Sequence, residues 1–289
     1  MADYILQHKK HFNFKSFVQN ALQEDVGDGD HSALATIPAN KKGKCHLLVK
    51  ENGILAGVEA AKEIFKIIDP KFRVTTYIKD GTQVKVGDIA FIVEGSSQKL
   101  LTAERLVLNV MQRMSGIATK TNYLQELCKG TKTKVIDTRK TTPGFRFFEK
   151  WAVVIGGGSN HRFGLYDMIM LKDNHIDFSG GIIEALDATH AYLRKTKKKL
   201  PIEVETRTLN DVKLILTKGG FQRIMLDNYT IADTKKAVAL IGNKFEIESS
   251  GGITEKTIAN YAKCGVDFIS VGALTHHVKS MDLSLKAIK

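Results

Sequence analysis

The stretch PIEVETRTLNDVKLILTKGGFQRIMLDN, residues 201–228, decides the fold. It contains a short apolar strand, an amphipathic helix and a second apolar strand, and the two strands lead into Glu205 and Asp227. Working outward, apolar strand runs occur at residues 135–136, 168–171, 202–204, 224–226, 245–247 and 268–271, with amphipathic helical stretches in the gaps after the second run. This alternation predicts an α/β fold with a parallel sheet built from βα units.

Polar residues collect where these strands end. They are residues 137–140, Lys172 with Asp173, Glu205, Asp227 with Asn228, residues 249–252 and Gly272. In a β/α barrel the carboxyl ends of the strands meet on one face, and enzymes of this architecture carry their active sites there. Six strands are visible where a full barrel needs eight, so we expect a short or open, incomplete β/α barrel, and the alternative is a barrel with further strands that the pattern does not reveal.

The first hundred residues have a different pattern. Strand patterns at residues 44–50, 73–79 and 89–94 alternate with short helices, and glycines separate them. Apolar residues then recur near helical spacing from residue 100 to 127, with Ser115 and Gly116 as a break or a close-packing point. The sequence therefore predicts an α+β module joined by a helical segment to the barrel.

Composition limits the class of protein. The chain has 289 residues, 43% of them hydrophobic, which is enough for one large core or two unequal ones. Its first twenty residues lack the apolar region of a signal peptide, and no apolar run is long enough to span a bilayer. The three cysteines, at positions 45, 128 and 264, show no metal-ligand spacing. Read as core residues, they favour a cytoplasmic location.

The formal net charge of +12 suits a nucleic-acid binder, a membrane-surface protein or an enzyme for polyanionic small molecules. One dense basic run, residues 194–199, precedes Pro201, and we interpret it as a solvated helix end. No sequence pattern of an RNP, KH or helix-turn-helix module is visible. We therefore expect neither a nucleic acid nor a membrane as partner.

The densest motifs are DTRKTTPGFRFFEKW at 137–151, GGGSNHRFGLYD at 156–167 and MLKDNH at 170–175. They carry eight side chains that are cationic or can become so: Arg139, Lys140, Arg146, Lys150, His161, Arg162, Lys172 and His175. Such charges repel one another unless anions neutralise them, and guanidinium groups match carboxylates and phosphates. A polyanionic substrate is the economical explanation, and surface pairing with nearby aspartates is the alternative.

Two further groups of residues indicate phosphate chemistry. The segments ESSGGI at 248–253 and VGALTH at 271–276 place glycines at consecutive late strand ends, where barrels commonly bind phosphate, and we expect a helix from Thr254. Glu203, Glu205 and Asp227 offer carboxylates beside the positive charge. These carboxylates suit Mg²⁺ bound with a diphosphate, hydrogen bonds to ribose hydroxyls, general-base duty or pairing with Lys172.

These motifs together resemble those of quinolinate phosphoribosyltransferases. The matching segments are DTRKTTPGFR, GGGSNHRFGL, LKDNH, IEVET, IMLDN, SSGGI and ISVGALTH, preceded by ALQEDVGDGD, GILAG and TAERLVLNVMQRMSGIAT. Nearly the whole chain is covered. One departure is GGFQRIMLDN, which has one residue more before the aspartate strand than the family commonly has.

The resemblance implies an N-terminal α/β sandwich over residues 1–112, an open β/α barrel over 113–276 and a tail, 277–289, that packs on the first domain. It also implies a dimer with shared sites. Quinolinate would be held by Arg139, His161, Arg162 and Lys172, with Arg105 of the partner subunit. Phosphoribosyl pyrophosphate and Mg²⁺ would be contacted by Lys140, Glu205 and Asp227. The terminal phosphate would lie against Ser250, Gly251, Gly252 and Gly272.

The implied products are nicotinate mononucleotide, carbon dioxide and pyrophosphate. A nicotinate-type or molybdenum-operon-associated relative is the alternative within the class, and a basic nucleic-acid-binding protein is the alternative outside it. The dense set of Arg, His and Lys side chains favours a substrate with two carboxylates over the first alternative.

Overall fold

The computed structural model describes residues 8 and 10–288, and within them the chain forms two compact units. The first unit comprises the described parts of Met1–Asn122, Thr141–Gly157 and Thr275–Lys289. The second comprises Tyr123–Lys140 and Gly158–Leu274. By this division residues 113–122, 141–157 and 275–276 lie with the first unit, whereas the sequence-based boundaries place them in the barrel.

The first unit contains two antiparallel sheets. The strands of this unit are β1 (Lys42–Val49), β2 (Gly53–Ile54), β3 (Arg73–Thr76), β4 (Gln83–Val84), β5 (Ile89–Ser96) and β12 (Leu283–Ala287). Four of them form a sheet in the order β12-β1-β5-β3, and β2 pairs with β4. Because side chains alternate along a strand, Cys45, Leu47 and Val49 of β1 are buried while the residues between them are more exposed. Strand β12, from the tail, pairs with β1.

Five helices with described bounds accompany these strands in the first unit. They are α1 (Phe14–Val26), α2 (His31–Thr36), α3 (Val58–Ile68), α4 (Ser97–Leu127) and α5 (Arg146–Ile155). Helix α5 buries its aromatic face against the N-terminal segment, where Phe147 stacks on Phe12 at 4.2 Å between ring centroids and Phe148 meets Phe17 at 4.7 Å. This aromatic packing explains why residues 141–157 belong to the first unit.

Helix α4 runs for 31 residues without a break at Ser115 and Gly116, although its last five residues belong to the second unit. A Cβ at Gly116 would overlap with the backbone carbonyl of Lys279. The Ser115 hydroxyl meanwhile accepts a hydrogen bond from the N–H of Ala56 and donates one to its carbonyl. Small residues at this point therefore permit close packing.

The second unit is a six-stranded parallel sheet with helices in its connections. Its strands are β6 (Lys134–Ile136), β7 (Ile169–Leu171), β8 (Ile202–Thr206), β9 (Arg223–Asp227), β10 (Glu246–Ser250) and β11 (Phe268–Ser270). The order is β6-β11-β10-β9-β8-β7, so β6 and β7 are the two edges. This arrangement confirms the predicted open barrel of six strands.

The helices of this unit are α6 (Asp173–Phe178), α7 (Ile182–Thr196), α8 (Leu209–Lys218), α9 (Ile231–Ile241) and α10 (Ile258–Ala262), and the short helix α11 (Ala273–His276) begins in this unit and ends in the first. Thr208 and Thr230 cap α8 and α9 by accepting hydrogen bonds from backbone N–H groups in the first turn, so both helices begin soon after a strand ends. Helix α10 begins at Ile258, after a turn at 254–257, so the expectation of a helix from Thr254 was wrong.

Two surface expectations concern the helices. The basic run at 194–199 lies at the exposed end of α7, as the prediction of a solvated helix end required. Among the helices of the described residues, none is both long and apolar enough to cross a membrane.

Candidate active site

Site residues of the second unit gather where its parallel strands end. Residues 137–140 follow β6, and Lys172 follows β7. Glu205 is the next-to-last residue of β8. Asp227 ends β9 and pairs in register with Ser250, which ends β10. Because all six strands run the same way, these positions share one edge of the sheet, as the sequence predicts.

Asp137 anchors the loop that carries His161 and Arg162. Its carboxylate is fully buried and accepts hydrogen bonds from the Asn160 side chain at 2.6 Å and from the His161 backbone N–H at 3.0 Å. Asp167 then accepts from the N–H groups of the two residues after Arg162, at 2.6 and 3.0 Å. The loop is thus tied down on both sides of Arg162.

Arg139 and Arg162 place two guanidinium groups near each other. Arg162 is 9% exposed and donates to the carbonyl of Met168 at 3.1 Å. Burial and the nearby charge of Arg139 both lower the pKa of Arg162. Arg139 and the adjacent Lys140 are exposed. An anion between the two guanidinium groups would relieve their repulsion, and carboxylates fit this geometry.

Lys172 and Glu205 form the next part of the edge. The Lys172 Nζ lies 3.4 Å from Oε2 of Glu205, and the backbone N–H of Asp173 donates to Oε1 of Glu205 at 3.3 Å. Lys172 is also the N-terminal cap of α6, where its own N–H donates to Nδ1 of His175 at 3.0 Å. His175 thus has a local partner in this helix turn. The site places a cation beside a buried carboxylate.

Asn228 links Asp227 to the glycine loop. Its Nδ2 donates to Oδ2 of Asp227 at 2.7 Å, and its backbone N–H donates to the carbonyl of Ser250 at 2.9 Å. Asn228 has a φ of 55°, a left-handed conformation that asparagine tolerates better than most residues. A Cβ at Gly251 would overlap with Oδ1 of Asn228. Two neighbouring strand ends are therefore packed tightly together.

The predicted phosphate loop has the backbone that such a loop needs. Gly251 and Gly252 have φ values of 88° and 63°, which L-residues with a Cβ rarely adopt. Gly272 lies between β11 and α11, at the next strand end. Consecutive strand ends thus present backbone without side chains, as a phosphate would require.

Below the loop of Arg162, a buried cluster surrounds the ring of His161. Its Nε2 lies 2.9 Å from Oε2 of Glu203 and 3.4 Å from Oε2 of Glu248, and both glutamates are fully buried. Arg223 closes the cluster from β9, with its guanidinium 3.3 Å from Glu248 and 4.0 Å from the ring centre of Phe268. Among the described residues, Oε1 of Glu203 has no hydrogen-bond partner.

The cluster holds a proton that the unfolded chain would release near neutrality. Burial lowers the pKa of His161, but hydrogen bonding and charge from Glu203 and Glu248 outweigh this and raise it to about 9. The N–H of Arg162 points at Nδ1 from 2.6 Å, so Nδ1 must keep its lone pair and the ring N–H lies at Nε2. The extra proton therefore belongs to the His161–Glu203 pair, since burial and Glu248 raise the pKa of Glu203 to about 7.

Three predicted cations lie in the first unit. Arg105 is exposed on α4 and contacts Glu104 at 3.3 Å, Arg146 donates to the Thr141 hydroxyl at 2.9 Å, and Lys150 is fully buried in α5. Of the eight cations in the central motifs, the second unit thus carries six.

Sequence reasoning missed two residues of the cluster. The sequence pattern places Glu248 only at the start of the predicted phosphate segment, and it assigns no role to Arg223. A signal was present, because Glu203 and Glu248 are charged residues inside otherwise apolar strands and such residues are seldom buried without a partner.

Cavities lie beside the site and also away from it. One of about 420 Å³ is lined by Glu205 and Arg207 together with residues of α6, α7 and α8. A cavity of about 960 Å³ in the first unit is lined by lysines 41, 42, 44, 71 and 99, and none of the predicted site residues lines it. We therefore place the candidate site at the carboxyl edge of the parallel sheet, where the predicted residues gather, and not at the cavity with the larger volume.

Comparisons with known proteins agree with this geometry. The model of the quinolinate phosphoribosyl transferase C-terminal domain matches residues 117–286, and that of the N-terminal domain matches residues 30–115. Quinolinate phosphoribosyltransferase (decarboxylating) 2a, mitochondrial, of Nicotiana tabacum is 44% identical over 290 residues, which cover 95% of this chain and 82% of the relative.

Two bacterial proteins extend the comparison. Probable nicotinate-nucleotide pyrophosphorylase (carboxylating) of Bacillus subtilis is 38% identical over 275 residues, which cover 95% of this chain and 93% of that protein. The crystal structure of NadC from Streptococcus pyogenes superimposes with a TM-score of 0.89 at 37% identity, over 99% of this chain and 98% of that one. The chain therefore belongs to the quinolinate phosphoribosyltransferase family.

Proposed function

We propose that this protein transfers the phosphoribosyl group of phosphoribosyl pyrophosphate to the ring nitrogen of quinolinate, with loss of carbon dioxide. The products are nicotinate mononucleotide, carbon dioxide and pyrophosphate. The observation that carries the proposal is the gathering of Arg139, Arg162 and Lys172 at the carboxyl edge of the sheet in a member of this family. Guanidinium and ammonium groups at one edge match the two carboxylates of a diacid.

Quinolinate has two carboxylates, and several cations are assigned to them. We assign direct contacts to Arg139, Arg162 and Lys172, with Arg105 of the partner subunit. His161 belongs to the same set through its neighbours, because its ring is buried. Fixing both carboxylates orients the pyridine nitrogen toward the sugar carbon, which makes the encounter of two substrates nearly unimolecular.

The other substrate would lie along the ends of the inner strands at the same edge, next to Lys140. Lys140, Glu205 and Asp227 contact phosphoribosyl pyrophosphate in this proposal, and its terminal phosphate lies against Ser250, Gly251, Gly252 and Gly272. Departure of pyrophosphate leaves positive charge on the sugar ring. Carboxylates at fixed positions stabilise that charge, while cations stabilise the leaving group.

Decarboxylation needs little from the protein. Once the nitrogen is bonded to the sugar, the pyridinium ring accepts the electron pair left when the adjacent carboxylate departs as carbon dioxide. The ring carbon then takes up a proton. The role of the site is to hold the diacid in place until the nitrogen–carbon bond has formed.

We also propose Mg²⁺ as the cofactor. Glu205 and Asp227 offer the hard oxygen atoms that this ion prefers, but two carboxylates are an incomplete set of ligands. The ion would therefore arrive with the diphosphate, whose oxygens complete its coordination, and it would neutralise charge on the leaving group. Hydrogen bonding of the two carboxylates to ribose hydroxyls is the competing role.

The oligomer and the location complete the proposal. We propose a homodimer in which Arg105 completes the site of the partner, supported by its exposure on α4 and by the family resemblance. We propose a cytoplasmic location, supported by three buried, unpaired cysteines, which suit a reducing compartment. Size-exclusion chromatography with light scattering and cell fractionation test these two statements.

One assay tests the function. Purified protein is incubated with quinolinate, phosphoribosyl pyrophosphate and Mg²⁺, and nicotinate mononucleotide and carbon dioxide are measured. A parallel reaction with nicotinate tests the nicotinate-type alternative, and a reaction with EDTA tests the metal. Product from nicotinate but not from quinolinate would overturn the proposal.

A further inference from the structure

Both nitrogens of the His161 ring are engaged inside the protein. Nδ1 faces the backbone N–H of Arg162 at 2.6 Å, and Nε2 faces Glu203 at 2.9 Å. The side chain is 4% exposed. The His161 ring therefore holds the backbone of Arg162. Neither ring nitrogen is directed toward a ligand at the carboxyl edge of the sheet.

The two glutamates hold the ring in turn. Glu203 and Glu248 come from β8 and β10, the strands on either side of β9, and both reach Nε2 within 3.4 Å. Arg223 of β9 contacts Glu248 at 3.3 Å and is itself packed on Phe268 of β11. Four neighbouring strands therefore fix the orientation of one imidazole.

We propose that Glu203 and Glu248 are positioning residues, which act through the His161 ring to place Arg162 for binding a carboxylate of quinolinate. The chain of contacts runs from the glutamates to Nε2, through the ring to Nδ1 and on to the N–H of Arg162. The guanidinium of Arg162 lies close enough to Arg139 for the two charges to interact. This inference rests on the proposed function, because quinolinate is the ligand that Arg162 would bind.

A metal ion is the competing explanation for the cluster. One ligand atom each from His161, Glu203 and Glu248 lie within 4.8 Å of one another, a spacing that a metal ion could bridge. However, Arg223 already supplies positive charge against Glu248, and Nε2 of His161 already lies 2.9 Å from Oε2 of Glu203. A further cation in this buried space would be repelled by Arg223, so we favour the positioning role.

The test compares three variants with the unchanged protein. Glu203→Gln and Glu248→Gln keep the volume of each side chain and remove its charge. Asp267→Asn is the matched control, because Asp267 pairs with Lys132 at 2.6 Å and accepts from Ile247 at 2.9 Å at the opposite end of the same strands. Calorimetry gives the Kd for quinolinate, and steady-state kinetics gives the KM values for quinolinate and phosphoribosyl pyrophosphate. The melting temperature and the metal content of each protein are also measured.

We expect both glutamine variants to weaken quinolinate binding by about tenfold or more, since small displacements of a binding group cost that much. The KM for phosphoribosyl pyrophosphate should change by less than about threefold. The control should bind quinolinate normally even if it melts earlier. Folded glutamine variants with unchanged quinolinate Kd would overturn the proposal, and so would a stoichiometric metal ion lost in them.

A second measurement needs no variant that might fail to fold. In protein labelled with ¹⁵N-histidine, the His161 ring should show an Nε2–H tautomer whose signals hardly change when quinolinate is added. A large change on both ring nitrogens would mean direct contact with the ligand and would overturn the proposal. If the unchanged protein neither binds quinolinate nor forms product, the proposed function has failed instead.

Discussion

The two edges of the parallel sheet differ in how their charges are arranged. At the amino edge, oppositely charged side chains form pairs: Lys132 lies 2.6 Å from Asp267, and Arg223 lies 3.0 Å from Glu246. Phe221 and Phe245 stack there with ring centres 4.3 Å apart. The carboxyl edge has such a pair in Lys172 and Glu205, but it also brings like charges together. At the carboxyl edge, Arg139 and Arg162 are close enough that one charge lowers the pKa of the other.

This difference separates stability from function. Opposite charges at a partly exposed edge contribute little more than about 1 kcal/mol each, but they contribute it without any ligand. Like charges held near each other are unfavourable for the fold, and binding sites commonly carry such arrangements because a ligand of opposite charge offsets the repulsion. The comparison predicts that substitutions at the carboxyl edge change activity and that substitutions at the amino edge change melting.

The largest effect is expected from the carboxylates of the carboxyl edge. Glu205→Gln and Asp227→Asn should lower kcat/KM for phosphoribosyl pyrophosphate by about 100-fold or more, because they remove charge that stabilises the developing positive sugar ring. The Kd for quinolinate should change by less than about threefold. Steady-state kinetics and calorimetry measure these values. Equal losses for both substrates would break the assignment of these residues to the ribose side.

The glycine loop gives the next effect. Gly251→Ala should weaken phosphate binding and lower activity by about tenfold to 100-fold, since the new methyl group overlaps with Asn228 and the φ of 88° strains it. Gly242→Ala is the control, because Gly242 also has a positive φ, 60°, but faces open space at the end of α9. Normal phosphate affinity in folded Gly251→Ala protein would contradict the site.

Subunit mixing extends the comparison to charge supplied from the first unit. Inactive Arg105→Ala and Arg139→Ala subunits, once exchanged, should recover roughly a quarter of normal activity, because about half the dimers are mixed and each has one intact site. Mixing Arg139→Ala with Arg162→Ala subunits is the control. No activity should be recovered there, because each site then contains one of the two substitutions. Absence of recovery in the first mixture, after verified exchange, would place Arg105 in its own subunit's site or indicate coupled sites.

The smallest effect is a pH dependence of stability from the buried cluster. The His161–Glu203 pair holds one extra proton, and the pKa of His161 is raised from the ordinary 6.5 to about 9, so this proton stabilises the fold fully below pH 6.5 and less as the pH rises through 9. Between pH 7 and 9.5 this loss is on the order of 2 kcal/mol, or roughly 5 °C of melting temperature. Glu203→Gln should show a flatter profile in calorimetric melts. An unchanged slope in that variant would mean that other groups cause it.

Several features were predictable from the sequence because they depend on local pattern. The apolar strand runs and the polar residues that follow them identified the parallel sheet, its open six-strand form and the edge at which Asp227 and Ser250 pair in register. Glycines 251 and 252 were placed in a loop on composition, and their positive φ values agree. Local pattern suffices here because strand direction alone decides which ends share an edge.

Other features depended on contacts between distant segments. Strand β12 was not predicted, since Leu283–Ala287 becomes a strand only by pairing with β1 more than 200 residues earlier. The assignment of residues 141–157 to the first unit likewise depends on Phe147 and Phe148 meeting phenylalanines near the N-terminus. No local periodicity records either contact.

The sequence by itself determined the family, the order of βα units and the residue types at the carboxyl edge. Only the tertiary structure decided what the His161 ring contacts, because Glu203 and Glu248 lie 42 and 87 residues away and reach the ring from two different strands. A motif lists which side chains are available. Burial and distance decide whether a side chain faces a ligand or holds a neighbour that does, and both arise only when the strands assemble.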